Sequence, residues 1–161
     1  MTLVARIVLG ATLVVAGALK ITTIEASINS VRAYKLLPFE LTWLVGTALP
    51  IVEIVIGLML ITGTFTRIAG VLGAAMMVAF IFGIASVWVR GISIDCGCFA
   101  PGGEVDPSQT QYPLEIARDV GLFLLGAWTA WRPTSPFAVD AWLFAGHDST
   151  TTEEPDQESL R

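Results

Sequence analysis

Two thiols separated by one glycine are the chemistry this sequence carries most openly. The stretch Ser93-Ile94-Asp95-Cys96-Gly97-Cys98-Phe99 holds both cysteines of the chain. Cysteine Cα atoms joined by a disulfide usually lie about 4.4–6.8 Å apart, whereas a fully extended i to i+2 span is roughly 6.6–7.2 Å. Joining Cys96 to Cys98 therefore needs a bend, and Gly97, having no Cβ, permits one. The small ring would be strained, and strained, exposed disulfides are the oxidising, exchangeable kind. It would also close almost no chain, so it would add little stability through loop entropy. These points favour a redox pair, with Cys96 and Cys98 as the catalytic thiols. Asp95 stands beside Cys96 and disfavours its thiolate, which makes Cys98 the more nucleophilic of the two. Two other readings stay open. The thiols can be reduced and packed as small apolar groups, or they can form half of a metal site shared with a partner. Zinc normally takes four ligands, and the single histidine, His147, lies far off in a polar tail, so the chain alone is assigned no metal.

The elements that must position this pair are those of a membrane protein. Of 161 residues, 54% are hydrophobic and only 14% are charged, against roughly 25% charged in a soluble domain. Mean hydropathy is +0.72. The net charge of −5 gives no hint of partners, because Asp148, Glu153, Glu154, Asp156 and Glu158 crowd the C-terminal tail. No basic patch exists, which excludes nucleic-acid binding as an expectation. Four apolar stretches, about 3–24, 41–61, 68–89 and 114–131, are each long enough to cross a ~30 Å hydrocarbon core at about 1.5 Å per residue. The first could instead be a signal peptide ending near Ala16-Gly17-Ala18, but its positive n-region is minimal and other spans follow. Arg6 and Lys20 sit near its ends, where they can snorkel. Between the first two spans, Ile24 to Leu37 has the pattern of a short interfacial helix, with Ile24, Ile28, Val31 and Leu36 towards lipid. The third span has no charge, and Ala69, Gly70, Gly73 and Ala74 suit close helix contact. The fourth carries Glu115, Arg118 and Asp119 in its first turns, so it can span only if these charges face the loop or one another.

Glu53 is the most informative single charge. It lies near the centre of the second span, three residues after Pro50, where a kink is expected. An acid at mid-bilayer costs about 2.5–3.5 kcal/mol on insertion scales and faces the bundle interior or a cavity. As a packing residue it would be paired with Arg6 or Lys20, or protonated. As a functional residue it would transfer protons or hydrogen-bond a quinone. The packing role is favoured, because no second acid is evident at similar depth.

The fold class expected is therefore all-α: an integral membrane four-helix bundle over residues 1–146, with the Cys-Gly-Cys loop between helices 3 and 4. Within it, Phe137 to Ala145 would lie on the membrane surface. Residues 147–161 form an acidic tail expected to be disordered. An even number of spans places both termini on one side. Counting basic residues favours a cytoplasmic cysteine loop, with Lys20, Arg32, Lys35, Arg90 and Arg118 against Arg6, Arg67 and Arg132. An exchangeable disulfide argues the other way, for a loop facing an oxidising space, and that orientation is adopted here.

Taken together, these pieces resemble the MauE family of methylamine utilisation proteins, which belongs with the DoxX-like four-helix membrane proteins. The resemblance rests on Arg6, Gly10 and Gly17-Ala18-Leu19-Lys20 in the first helix, and on Leu49-Pro50-Ile51-Val52-Glu53 with Gly57 in the second. It continues through Arg90-Gly91, Cys96-Gly97-Cys98-Phe99 and Arg118-Asp119, covering about residues 3 to 132. After the Phe, the family's loop often continues with a glycine, where this chain has Ala100-Pro101-Gly102. The resemblance implies a protein of the bacterial cytoplasmic membrane that exchanges electrons with a thioredoxin-like partner. In methylamine-utilising bacteria, family members support maturation of methylamine dehydrogenase, whose small subunit needs many disulfides. Cys96 and Cys98 would be the reacting groups, with Asp95, Gly97, Glu53 and Arg118 in support. A quinone near Glu53 is one candidate for the electron partner, although no motif specifies it. A non-enzymatic membrane scaffold and thiolate metal handling are the alternatives.

Overall fold

A computed structural model describes residues 1–95 and 103–132 of the chain. Cys96, Gly97 and Cys98, the surface segment expected at 137–145 and the acidic tail lie outside the described residues. Among those described, the chain forms α1 (Thr2–Thr22), α2 (Ile24–Ala33), α3 (Phe39–Thr62), α4 (Thr66–Val89), β1 (Ile94–Asp95), β2 (Gly103–Glu104), a 3-10 turn (Pro107–Gln109) and α5 (Tyr112–Trp131). Five helices form: four long ones and α2, which occupies the segment where a short connecting helix is expected; a two-residue antiparallel ladder is added to this otherwise helical chain. Three helices, α1, α3 and α4, are long and apolar enough to cross a membrane. The protein is accordingly described as an integral membrane protein. In α5, Glu115, Arg118 and Asp119 occupy the first turns, and its apolar run begins only at Val120.

Helix α1 packs chiefly on α3, and α4 on α5, with further contact of α1 with α5 and of α3 with α4. Leu9, Leu13, Ile56, Leu60, Ala69, Met77 and Leu122 form the central core, drawn from all four long helices. A second cluster at the loop end joins Ala33, Ile84, Val87, Ile94 and Tyr112. Valines and leucines such as Val15, Val55, Val71 and Leu124 face outward, as lipid-facing positions do. With lipid as solvent, burying apolar surface gives little drive for helices to associate, so close contact matters more. The glycines supply it. A Cβ on Gly10 would sit 2.8 Å from the Gly57 carbonyl oxygen, and one on Gly57 would sit 2.7 Å from that of Gly10. On the other pair, a Cβ on Gly70 would come within 2.9 Å of the Ala130 nitrogen.

Backbone groups left over by the helices find partners within the bundle. Pro50 has no N–H, so the Gly46 carbonyl four residues earlier loses its helical donor. The Ser27 hydroxyl of α2 donates to that carbonyl at 2.8 Å. This corrects the lipid-facing assignment of Ile28, which is buried against Gly46 of α3 instead. Arg6 does not snorkel either. It is fully buried and donates through Nε to the Leu60 carbonyl at 3.0 Å and through Nη2 to that of Ile61 at 3.3 Å. These carbonyls belong to the last turn of α3, where acceptors lack helical donors and a cation suits the helix dipole. Gly63 then ends the helix in the left-handed conformation (φ 74°), its N–H bonded to the Met59 carbonyl.

The Gly10–Gly57 contact yields a direct expectation. Gly57→Val should force α1 and α3 apart and lower stability by about 1–3 kcal/mol, the usual range for overpacking. A denaturant titration in detergent micelles would measure this. An unchanged midpoint would mean the contact contributes nothing to assembly.

Candidate functional site

The segment leading into the thiol pair is held from several sides. Tyr112, the first residue of α5, is buried, and its hydroxyl accepts from the Ile94 N–H at 2.8 Å and donates to the Ile92 carbonyl at 2.6 Å. Its ring lies 6.2 Å from that of Trp88. Antiparallel pairing sets Ile94 opposite Glu104 and Asp95 opposite Gly103, and the Val105 N–H donates to the Ser93 carbonyl at 3.1 Å. Both strands contact α2, and Arg90 bonds the Tyr34 carbonyl at 2.9 Å. The next residues after Asp95 are Cys96-Gly97-Cys98. Residues 96–102 therefore connect two strand ends whose register is fixed. On the far side of the ladder, Asp106 accepts from the Ser108 N–H and hydroxyl, which holds its carboxyl below the usual range.

A second polar centre lies inside the bundle. Side chains on a helix lean towards its N-terminus, so Lys20 reaches back along α1 and meets Glu53 Oε1 at 2.5 Å. Lys20 is 8% exposed and Glu53 is fully buried. Of the two expectations for Lys20, snorkelling and pairing with Glu53, the structure shows the pairing, and not snorkelling: an acid at that depth offers a better partner than the interface. The ammonium also stands 5.1 Å from the centre of the Phe80 ring. Opposite, Arg118 grips Asp119 Oδ1 through Nε at 3.0 Å and through Nη2 at 2.9 Å. Arg118 is part-exposed, while Asp119 is buried. Glu53, Arg118 and Asp119 line one cavity of about 20 Å³, together with Thr12, Leu13 and Phe80 among others. A second acid therefore does lie at Glu53's depth, contrary to the sequence-based expectation. The cavity fits a water-sized molecule, which needs about 10–15 Å³.

Of the residues singled out from the sequence, Glu53 and Arg118 come together around this cavity, and Asp95 stands apart in β1. Cys96, Gly97 and Cys98 lie outside the described residues. Sequence reasoning missed Asp119 as a site residue. The signal was present in helical spacing: Asp119, Leu122, Gly126 and Thr129 are the buried stripe of α5, as Arg6, Leu9, Leu13, Ala16 and Lys20 are of α1.

Comparison with known proteins can now be set against this geometry. The family model described as methylamine utilisation protein MauE matches residues 1–132. The chain belongs to the MauE family. The match covers all five helices, the hairpin and both polar centres. A curated MauE relative, the methylamine utilization protein MauE of Paracoccus denitrificans, is 33% identical over 98 residues, which is 60% of this chain and 53% of the relative. The chain thus spans about half the length of that MauE protein. No solved structure matches.

The Lys20–Glu53 pair generates a measurable expectation. Lys20→Met leaves a buried carboxylate without its counter-charge and should destabilise by about 3–5 kcal/mol. Adding Glu53→Gln removes the stranded charge and should restore most of that loss. The check is a double-mutant cycle on unfolding in lipid or detergent. Additive losses would show that the two side chains do not interact.

Proposed function

We propose that this MauE-family chain is a membrane thiol–disulfide exchange protein that serves a thioredoxin-like partner in methylamine utilisation. The observation that carries this reading is the placement of Cys96-Gly97-Cys98 directly after Asp95, whose strand is pinned by the Gly103 pairing and by the Tyr112 hydroxyl. A thiol pair that directly follows such a strand in the sequence suits exchange with a soluble dithiol. Family membership and the similarity to the Paracoccus methylamine utilization protein support the pathway.

In the exchange, a thiolate of the partner attacks one sulfur of the Cys96–Cys98 disulfide. That S–S bond breaks, a mixed disulfide forms and the other cysteine leaves as a thiolate. The partner's second thiolate then attacks the mixed disulfide and forms the partner's own disulfide. Two electrons and the two thiol protons pass to the cysteine pair, and the reverse sequence reduces the partner instead. Asp95 keeps the neighbouring Cys96 the poorer thiolate, so in the reducing direction Cys98 is the thiol that attacks the partner's disulfide. Gly97 supplies the bend that the small ring requires.

The reading also sets an orientation. Lys20 and Arg6 are buried and Arg118 is ion-paired. The basic residues left to count are Arg32, Lys35 and Arg90 at the loop end against Arg67 and Arg132 at the other, which is close to balance. The redox chemistry then places the loop on the extracytoplasmic, oxidising side.

Mixed-disulfide trapping tests the exchange. Cys96→Ser should trap a thioredoxin-like protein through Cys98, and Cys98→Ser should trap it poorly. Equal trapping would remove the role given to Asp95. No trapping, with no reversible thiol oxidation in the unaltered protein, would leave a scaffold role. Orientation is checked separately: after mild reduction of intact cells, an impermeant maleimide should label the cysteines. Labelling that requires permeabilised cells would reverse the topology.

A further inference from the structure

Each of the two buried carboxylates beneath the loop end uses only one of its oxygens. Glu53 Oε1 is held by Lys20, and Asp119 Oδ1 by Arg118. Glu53 Oε2 and Asp119 Oδ2 are buried with no hydrogen-bond partner among the described residues. Both residues are at most 1% exposed, and both line the same cavity of about 20 Å³. Leaving a buried charged acceptor unsatisfied costs more than the roughly 1–3 kcal/mol of a neutral group. A water needs about 10–15 Å³ and two to four polar partners; this cavity has the volume, and Glu53 and Asp119 among its lining residues each carry one unpartnered oxygen.

We propose that the cavity is a proton-binding site: one water bridges Glu53 Oε2 and Asp119 Oδ2, and the two carboxylates share one proton through it. This goes beyond the thiol-exchange reading and does not rest on it. Two carboxylates at one low-dielectric site resist being ionised together and accept a proton between them. Proton uptake converts one carboxylate to a carboxyl, and no electron moves. Among the described residues, the other charged groups in this region are Lys20 from α1 and Arg118 and Glu115 from α5, Glu115 lying one turn before Asp119, while α4 lines the cavity with Met77 and Phe80. Asp119 lies seven residues into α5, which at about 1.5 Å per residue is about 10 Å from the helix end bearing the hairpin. The site thus lies within the membrane bundle, on the side of the loop.

The test is infrared difference spectroscopy on the full chain in lipid vesicles, titrated from alkaline to acid pH in H₂O and in D₂O. A protonated-carboxyl band that shifts on deuteration is expected in the unaltered protein. Because the proton is shared, Glu53→Gln and Asp119→Asn should each remove that same band, while the bands of the other acids persist. Glu53→Gln strands Lys20 and can cost the fold, so the Lys20→Met/Glu53→Gln double variant runs beside it. Ala16→Val narrows the cavity without touching a charged group and should shift the band by displacing the water. A band that survives unchanged in Asp119→Asn would overturn the shared site, as would the absence of any such band while the protein stays folded. An unchanged band in Ala16→Val would overturn the bridging water.

Discussion

The constraint behind most of this structure is that a charge inside hydrocarbon needs a partner on another helix. Lys20 on α1 and Glu53 on α3 meet at that requirement. An ion pair of this kind is a weak source of net stability, because taking both charges out of water offsets much of their attraction. What it contributes is register. A slide of α1 along α3 by one turn, about 5.4 Å, would strand both charges. Arg6 adds a second fixed point by occupying the last-turn carbonyls of α3, and the Gly10–Gly57 contact lies between them. Two polar ties and one close backbone approach therefore define a single way for these helices to pack.

Several of these features were legible in the sequence. Three helices announced themselves by length and apolarity, and the Glu53 carboxylate by its position inside one of them. The small residues of α4 do face its neighbours: Gly70 and Ala74 meet α5, while Gly73 meets Leu9 and Leu60. Other features depended on which surfaces meet. Lys20 and Arg6 lie near the ends of a hydrophobic stretch, and snorkelling is the reasonable local expectation. Tertiary partners overrode it, a carboxylate for one and bare carbonyls for the other. Asp119 sits in a turn dense with charge, where adjacency to Arg118 suggested a local pair and concealed the shared cavity with Glu53. The hairpin was hidden because two residues per strand carry no periodicity. The Tyr112 hydroxyl, the packing of Ile94 with Ile84 and Val87 of α4 and the contacts with α2 show how firmly it is seated.

The two polar centres occupy the same half of the molecule and share α5. Tyr112 at the start of that helix holds the strand that leads to the cysteines, and Asp119 two turns on lines the cavity. A rigid helix thus links the frame of the thiol loop to a polar pocket among the membrane helices. Movement of α5 along its axis would disturb both at once.

The Ser27–Gly46 bond bears on how such a protein is made. Pro50 leaves α3 with a bare carbonyl inside an apolar helix, and the hydroxyl that satisfies it comes from α2, which is synthesised earlier. When α3 is made, α2 has already been synthesised and can pack against it. The polar side chains of α2 keep it from entering the bilayer alone, yet one of them completes a helix that does. Chain order thus supplies the donor before the acceptor needs it, and the short helix completes the hydrogen bonding of the proline-containing one.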